Sequence, residues 1–120
     1  MLFDELTGKI LEAGFEVSRE LEAGFLESVY EKSLFVALKQ KGSNATCQVP
    51  LHVKFRGVIV GDFYADILVE GKVLVELKAV SRIISEHKAQ VINYLKATGI
   101  EIGLLINFGN PKLEYYRLHK

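Results

Sequence analysis

No disulfide can brace this chain from within, because Cys47 is its only cysteine, and a thiolate zinc site lacks its ligands for the same reason. Proline occurs only twice, and no low-complexity tract or disordered tail interrupts an ordinary globular composition. Net charge is missing too: fifteen Lys and Arg balance fifteen Asp and Glu. That balance argues against strong non-specific nucleic-acid binding through bulk charge, while leaving room for a local basic patch. There is no apolar run long enough to span a membrane, and Met1-Leu2-Phe3-Asp4-Glu5 is not a signal peptide. A cytoplasmic location is the default expectation, with no membrane partner. His87 has no second histidine nearby, so a histidine zinc triad is poorly supported.

What is present fits one domain over residues 1–120. Leu6, Ile10, Val17 and Leu21 recur at helical multiples, and acidic residues open the segment, which predicts a helix over 4–22. Gly24 interrupts the pattern. A second helix is expected over 26–40, with Glu27, Tyr30, Leu34 and Leu38 along one stripe. From Cys47 to Phe55 apolar residues alternate, as on a half-buried strand, and Pro50 places that strand at an edge. Arg56-Gly57 is a turn, and Gly61 marks a bulge or bend in the strand that follows. A third helix is expected after Ser81, capped by Ser85 and ended by Gly99, with Ile84, Val91 and Leu95 toward the core. His87, Gln90 and Tyr94 share a neighbouring face of it, either as a cleft lining or as a row of half-exposed polar residues. Two more strands complete the chain, with Ile102 to Phe108 in the first and the last at an edge.

The most informative stretch is residues 65–79, where two apolar strands meet at a turn about Gly71 and carry three charges, Asp66, Glu76 and Lys78. Near-continuous apolar runs suit strands covered on both faces. Residues two apart on a strand share a face, so Glu76 and Lys78 point the same way. A three-residue loop of Glu70, Gly71 and Lys72 puts Asp66 opposite Glu76, with Cβ atoms about 4.5–5.5 Å apart; a two-residue loop would put Asp66 on the other face. Two carboxylates so close repel, and a hard divalent cation such as Mg²⁺ or Mn²⁺ would relieve them. A cross-strand ion pair on a solvated face fits the same residues. Glu27 likewise fits either a carboxylate at a cleft edge or a simple helix-dipole partner.

The order α-α-β-β-β-α-β-β implies an α/β (α+β) fold, a mixed sheet with helices on its faces. The segment joining the Glu76 strand to the Ile102 strand has βαβ length, so those two strands are expected to be parallel. An acidic residue on an early helix, an aspartate on one strand and Glu-x-Lys on the next resemble the PD-(D/E)xK nuclease superfamily, here as Glu27, Asp66 and Glu76-Leu77-Lys78. Gln90-Val91-Ile92-Asn93-Tyr94 is similar to the Gln-x-x-x-Tyr motif of the RecB-type nucleases. Gly24-Phe25-Leu26-Glu27-Ser28-Val29-Tyr30 resembles the signature of the small bacterial GxxExxY proteins, as do Val75-Glu76-Leu77-Lys78-Ala79 and Asn93-Tyr94-Leu95-Lys96-Ala97-Thr98-Gly99. The resemblance spans residues 5–118. Ala65 departs from it, standing where the superfamily's name has proline.

The resemblance implies a restriction-endonuclease-like core and Mg²⁺- or Mn²⁺-dependent phosphodiester hydrolysis. Asp66, Glu76 and the Leu77 carbonyl would ligate the metal, and Glu27 a second metal or a metal-bound water. Lys78 would orient or deprotonate the attacking water. Gln90, Tyr94, Tyr30 and His87 would contact a nucleic-acid substrate. Weak bulk charge implies added grip from a homodimer or a partner protein. Two other classes fit the residues: a catalytically silent binding module, and an enzyme acting on a small phosphorylated substrate.

Overall fold

The computed structural model describes residues 1–120. Helix α1 (Asp4–Leu21) forms where Ile10, Ala13 and Val17 recur at helical spacing, and it buries all three. Asp4 and Glu5 sit at the positive end of its dipole. Helix α2 (Glu27–Gln40) buries Tyr30, Leu34 and Leu38 on one stripe. Strands β1 (Ala45–Phe55) and β2 (Val58–Val69) make a long antiparallel hairpin. Its two turn residues, Arg56 and Gly57, both take positive φ, which matches the twist of the flanking strands.

Strand β3 (Val73–Lys78) returns from β2 with Val69 opposite Val73, so the loop holds three residues, Glu70, Gly71 and Lys72. Helix α3 (Ser85–Thr98) crosses over to β4 (Ile102–Asn107), which runs parallel to β3. Strand β5 (Glu114–His119) closes the far edge. The five strands lie in the order β1-β2-β3-β4-β5. One core layer joins this sheet to α1 and α2, and a second joins it to α3 through Val91, Tyr94 and Leu95. This is the mixed, helix-flanked sheet that the element order implies.

Three local expectations are corrected. Ser85 does not cap α3: the N-cap is Ile84, and His87 Nδ1 accepts the Ile84 N–H at 3.1 Å. Ile84 is 41% exposed, and Ile83 packs in the core in its place. The third correction concerns strand faces. Cys47, Ile67 and Val69 pack toward α1 and α2, but Val49, Leu51 and Ala65 pack toward α3. Odd positions of one strand should share a face. On β1 the change falls at Gln48, whose φ of 51° breaks the pleat as a bulge does, and on β2 it falls across Asp66, where the β1–β2 pairing is interrupted. The bulge expected at Gly61 is present: register shifts between Val53 and Lys54, which face Gly61 and Ile59.

The C-terminal end of the parallel pair is pinned. Asn107, fully buried, accepts the N–H groups of Val80 and Gly109 and donates to the Val80 carbonyl. This holds residues 79–81, just beyond Lys78, against the end of β4. Gly109 passes so close that a Cβ there would lie 2.0 Å from the Val80 oxygen. Overpacking costs typically about 1–3 kcal/mol and more where backbone must move, so Gly109→Ala is expected to destabilise by about 2 kcal/mol or more. By contrast, Gly8→Ala in α1 meets nothing within 4 Å and should stabilise by up to about 1 kcal/mol. Urea unfolding of the two variants checks this, and equal shifts would show that no backbone contact constrains Gly109.

Candidate active site

The site lies where β2 separates from β3. Paired residues run from Val69 with Val73 to Ile67 with Val75, and there the ladder ends. The next two residues in register are Asp66 and Glu76. Their carboxylates take over the main-chain donors that the ladder leaves. The Asp66 N–H donates to Glu76 Oε2 at 2.6 Å, and the Leu77 N–H donates to Asp66 Oδ2 at 2.8 Å. Each side chain thus ties down the other's strand. Leu77 contributes through its main chain, since its side chain is buried in the core beneath.

Glu76 is 5% exposed. Burial, and then the charge of Asp66, push its carboxyl well above the usual carboxylate range, against an opposing pull from Lys78. Helix α2 brings two more carboxylates to the same place. Glu27, in its first turn, is raised by burial of its carboxyl end and by Asp66, and lowered by Lys78 and by a hydrogen bond from the main chain at Ala79. Glu31, one turn on, is raised by burial and then by Asp66. Its Oε1 accepts Gln48 Nε2 at 2.7 Å. Four carboxylates and one amine therefore meet at the fork.

Helix α3 approaches from the other face of the sheet. Gln90 Nε2 donates to the Tyr94 hydroxyl at 3.1 Å. The phenol is pushed up by burial and by Glu76, with a smaller push from Asp66. His87 spends Nδ1 on the start of α3, yet it is close enough to lower the Glu27 carboxyl. Tyr30 is corrected: the resemblance implies a substrate contact for it, but it is fully buried. Its ring stacks on Phe108 at 4.8 Å. Its hydroxyl donates to the Glu22 carbonyl at 2.6 Å and accepts the Phe25 N–H at 3.1 Å. Tyr30 ties down residues 22–26, the loop that delivers Glu27.

Two residues escaped the sequence reading. Glu31 had a signal, since it follows Glu27 by four residues on the same helical stripe. Gln48 had none, because nothing in its type announces a positive φ in a strand. The donors are carboxylate oxygens on short strands and one helix face, a set suited to a hard divalent cation and unsuited to a soft one. No three of them are set to enclose an ion by themselves. Mg²⁺ sites commonly leave several positions to water and substrate phosphate, so the donor set fits.

Comparison with known proteins agrees with this fold. The family model for the PD-(D/E)XK nuclease superfamily matches residues 4–118. Among solved structures, the chain is similar to SSO0001, with a TM-score of 0.62 and 20% identity over 78% of this chain and 49% of that one. It is also similar to the alkaline exonuclease LHK-Exo from Laribacter hongkongensis, with a TM-score of 0.53 and 14% identity over 72% of this chain and 52% of that one. The chain spans about half the length of each. No curated protein sequence matches it.

Tyr30→Phe should lower stability by about 0.5–1.5 kcal/mol, the net worth of a typical hydrogen bond. Divalent-ion binding should be unchanged. Denaturation alongside calorimetric ion titration checks both, and lost ion binding in a stably folded variant would return Tyr30 to the site.

Proposed function

We propose that this chain, which belongs to the PD-(D/E)XK nuclease superfamily, is a metal-dependent nuclease that hydrolyses phosphodiester bonds of DNA or RNA. Within the superfamily we assign it to the GxxExxY proteins, on Gly24, Glu27 and Tyr30 with their spacing. Residues 1–120 form one nuclease-like domain in this reading. The observation that carries it is the crossed pair of Asp66 and Glu76 at the fork, with Lys78 next along the same strand face.

Asp66, Glu76 and the Leu77 carbonyl would hold Mg²⁺ or Mn²⁺, and Glu27 a second metal or a metal-bound water, with Glu31 beside it. The bound ion supplies Lewis-acid stabilisation of the phosphate and lowers the pKa of water. Lys78 Nζ holds the attacking water or takes its proton. The Gln90 amide and the Tyr94 hydroxyl position a phosphate oxygen, and His87 Nε2 faces the same strand. A second copy or a partner protein would add grip that a chain of zero net charge cannot supply through its own field. The alternative is a catalytically silent nucleic-acid-binding or protein-interaction module.

Calorimetric titration of Mn²⁺ and Mg²⁺ with a non-cleavable oligonucleotide separates the two. Binding should be present in the wild type and lost in Asp66→Ala and Glu76→Gln, with both variants folded. Lys78→Ala should keep Mn²⁺ binding and lower turnover by about 10²–10⁴-fold, the usual contribution of a positioned acid or base. A wild type that binds neither ion with the oligonucleotide present would establish the silent module.

A further inference from the structure

Strands β1 and β2 are about twice as long as β3. Beyond the fork, their hairpin leaves the sheet and hangs over α3. Between hairpin and helix lies an open groove of about 1310 Å³, lined by Val49, Leu51, Phe63 and Tyr94 with Lys54 and Lys96. Small-molecule sites run to about 300–1,000 Å³, so this groove is on the scale of a polymer segment. Its inner end lies beside the fork: Val49 lines it and pairs across the strands with Ala65, the neighbour of Asp66.

The wall of the groove is an aromatic platform. Phe63 is 42% exposed, and its ring is backed by Tyr94 at 5.7 Å between centroids. Gly61 makes room for it, since a Cβ there would lie 2.9 Å from the Phe63 ring. Positive charge is sparse. Lys54 and Lys96 face one acid, Glu86, and His52 is paired with Asp62 at 2.5 Å.

We infer that this groove binds single-stranded nucleic acid, with a base stacked on Phe63 and the backbone beside Lys54 and Lys96, and feeds it to the Asp66–Glu76 fork. The inference rests on the nuclease reading and names its substrate class. A duplex keeps its base faces inside the stack and binds without sequence preference through phosphates. A chain with no net charge and two lysines in the groove serves that mode poorly. A single strand offers its base faces, and stacking on an aromatic side chain is strong and tolerant of sequence. Lys54 and Lys96 in the lining complement its phosphates.

The test is fluorescence anisotropy of the full chain in EDTA, with a labelled oligothymidylate and a hairpin duplex of equal length. Cleavage of both in Mn²⁺ is followed in parallel. The single strand should bind at least about ten-fold more tightly than the duplex. Phe63→Ala should weaken it about ten-fold, within the range measured for base–aromatic stacking, and Phe63→Tyr should restore it. Lys54→Ala with Lys96→Ala should reduce the salt slope by about 0.7 per lysine. Equal affinity for both forms, or a folded Phe63→Ala with unchanged affinity, overturns the groove assignment. Phe63→Ala that dissociates a dimer instead would make the face an interface between copies and overturn it too. Duplex cleavage without single-strand binding sinks the groove and spares the nuclease reading. Single-strand binding through Phe63 without cleavage sustains the groove and sinks the nuclease reading.

Discussion

Two carboxylates standing in for main-chain carbonyls are the constraint on which this molecule's site depends. Where β2 parts from β3, Asp66 accepts the Leu77 N–H and Glu76 accepts the Asp66 N–H. A sheet that simply opened would leave those donors unpaired in a low-dielectric interior, at a cost of about 1–3 kcal/mol each. The crossed bonds satisfy the donors and also hold two like charges together. The consequence is visible in Glu76, whose carboxyl resists ionisation because it is buried and because Asp66 is already there. Strain of this kind is relieved by positive charge, and Lys78 on the same strand face supplies part of it.

A second constraint decides what else can reach the fork. The face change at Gln48 means that the sheet is not a barrier there. Carboxylates on α2 come from one side, and the Gln90–Tyr94 pair on α3 comes from the other. A regular pleat would have kept these groups apart, with a layer of side chains between them. The positive φ at Gln48 costs conformational energy, and its side chain is used, since it holds Glu31 in place. Backbone strain beside a cluster of titratable groups is a common association at functional sites.

The supports behind the site are buried and hydrogen-bonded. Tyr30, stacked on Phe108, fixes the loop entering α2. Asn107 fixes the chain leaving β3. Placing the charged groups on strand and helix ends, braced in this way, gives more precise geometry than loops would. The overhanging hairpin is the exception. Phe55, Val58 and Val60 at its tip are each 60% exposed or more, a concentration of apolar surface beyond what a lone exposed residue means.

Hydrophobic period and turn chemistry, both local, are strong enough in this sequence to set the helices and the succession of strands; they left the loop about Gly71 at two or three residues, and the structure takes three, which brings Asp66 opposite Glu76. The i, i+2 rule aligned Glu76 with Lys78, and the spacing on α3 aligned Gln90 with Tyr94. Those properties follow from bonding within a segment or between neighbours, so the sequence by itself determined them. It did not determine which face each residue of a long hairpin would take, because the face changes between Cys47 and Val49 and between Ile67 and Ala65 leave no mark in composition. Nor did it tell that Tyr30 would be locked in the core while Glu31, beside it, turns toward Asp66. Adjacent helical residues differ by about 100° in direction, and only packing against the sheet selects which of them faces the fork. Those choices belong to the tertiary structure, because burial is a property of the assembled layers and not of any segment alone.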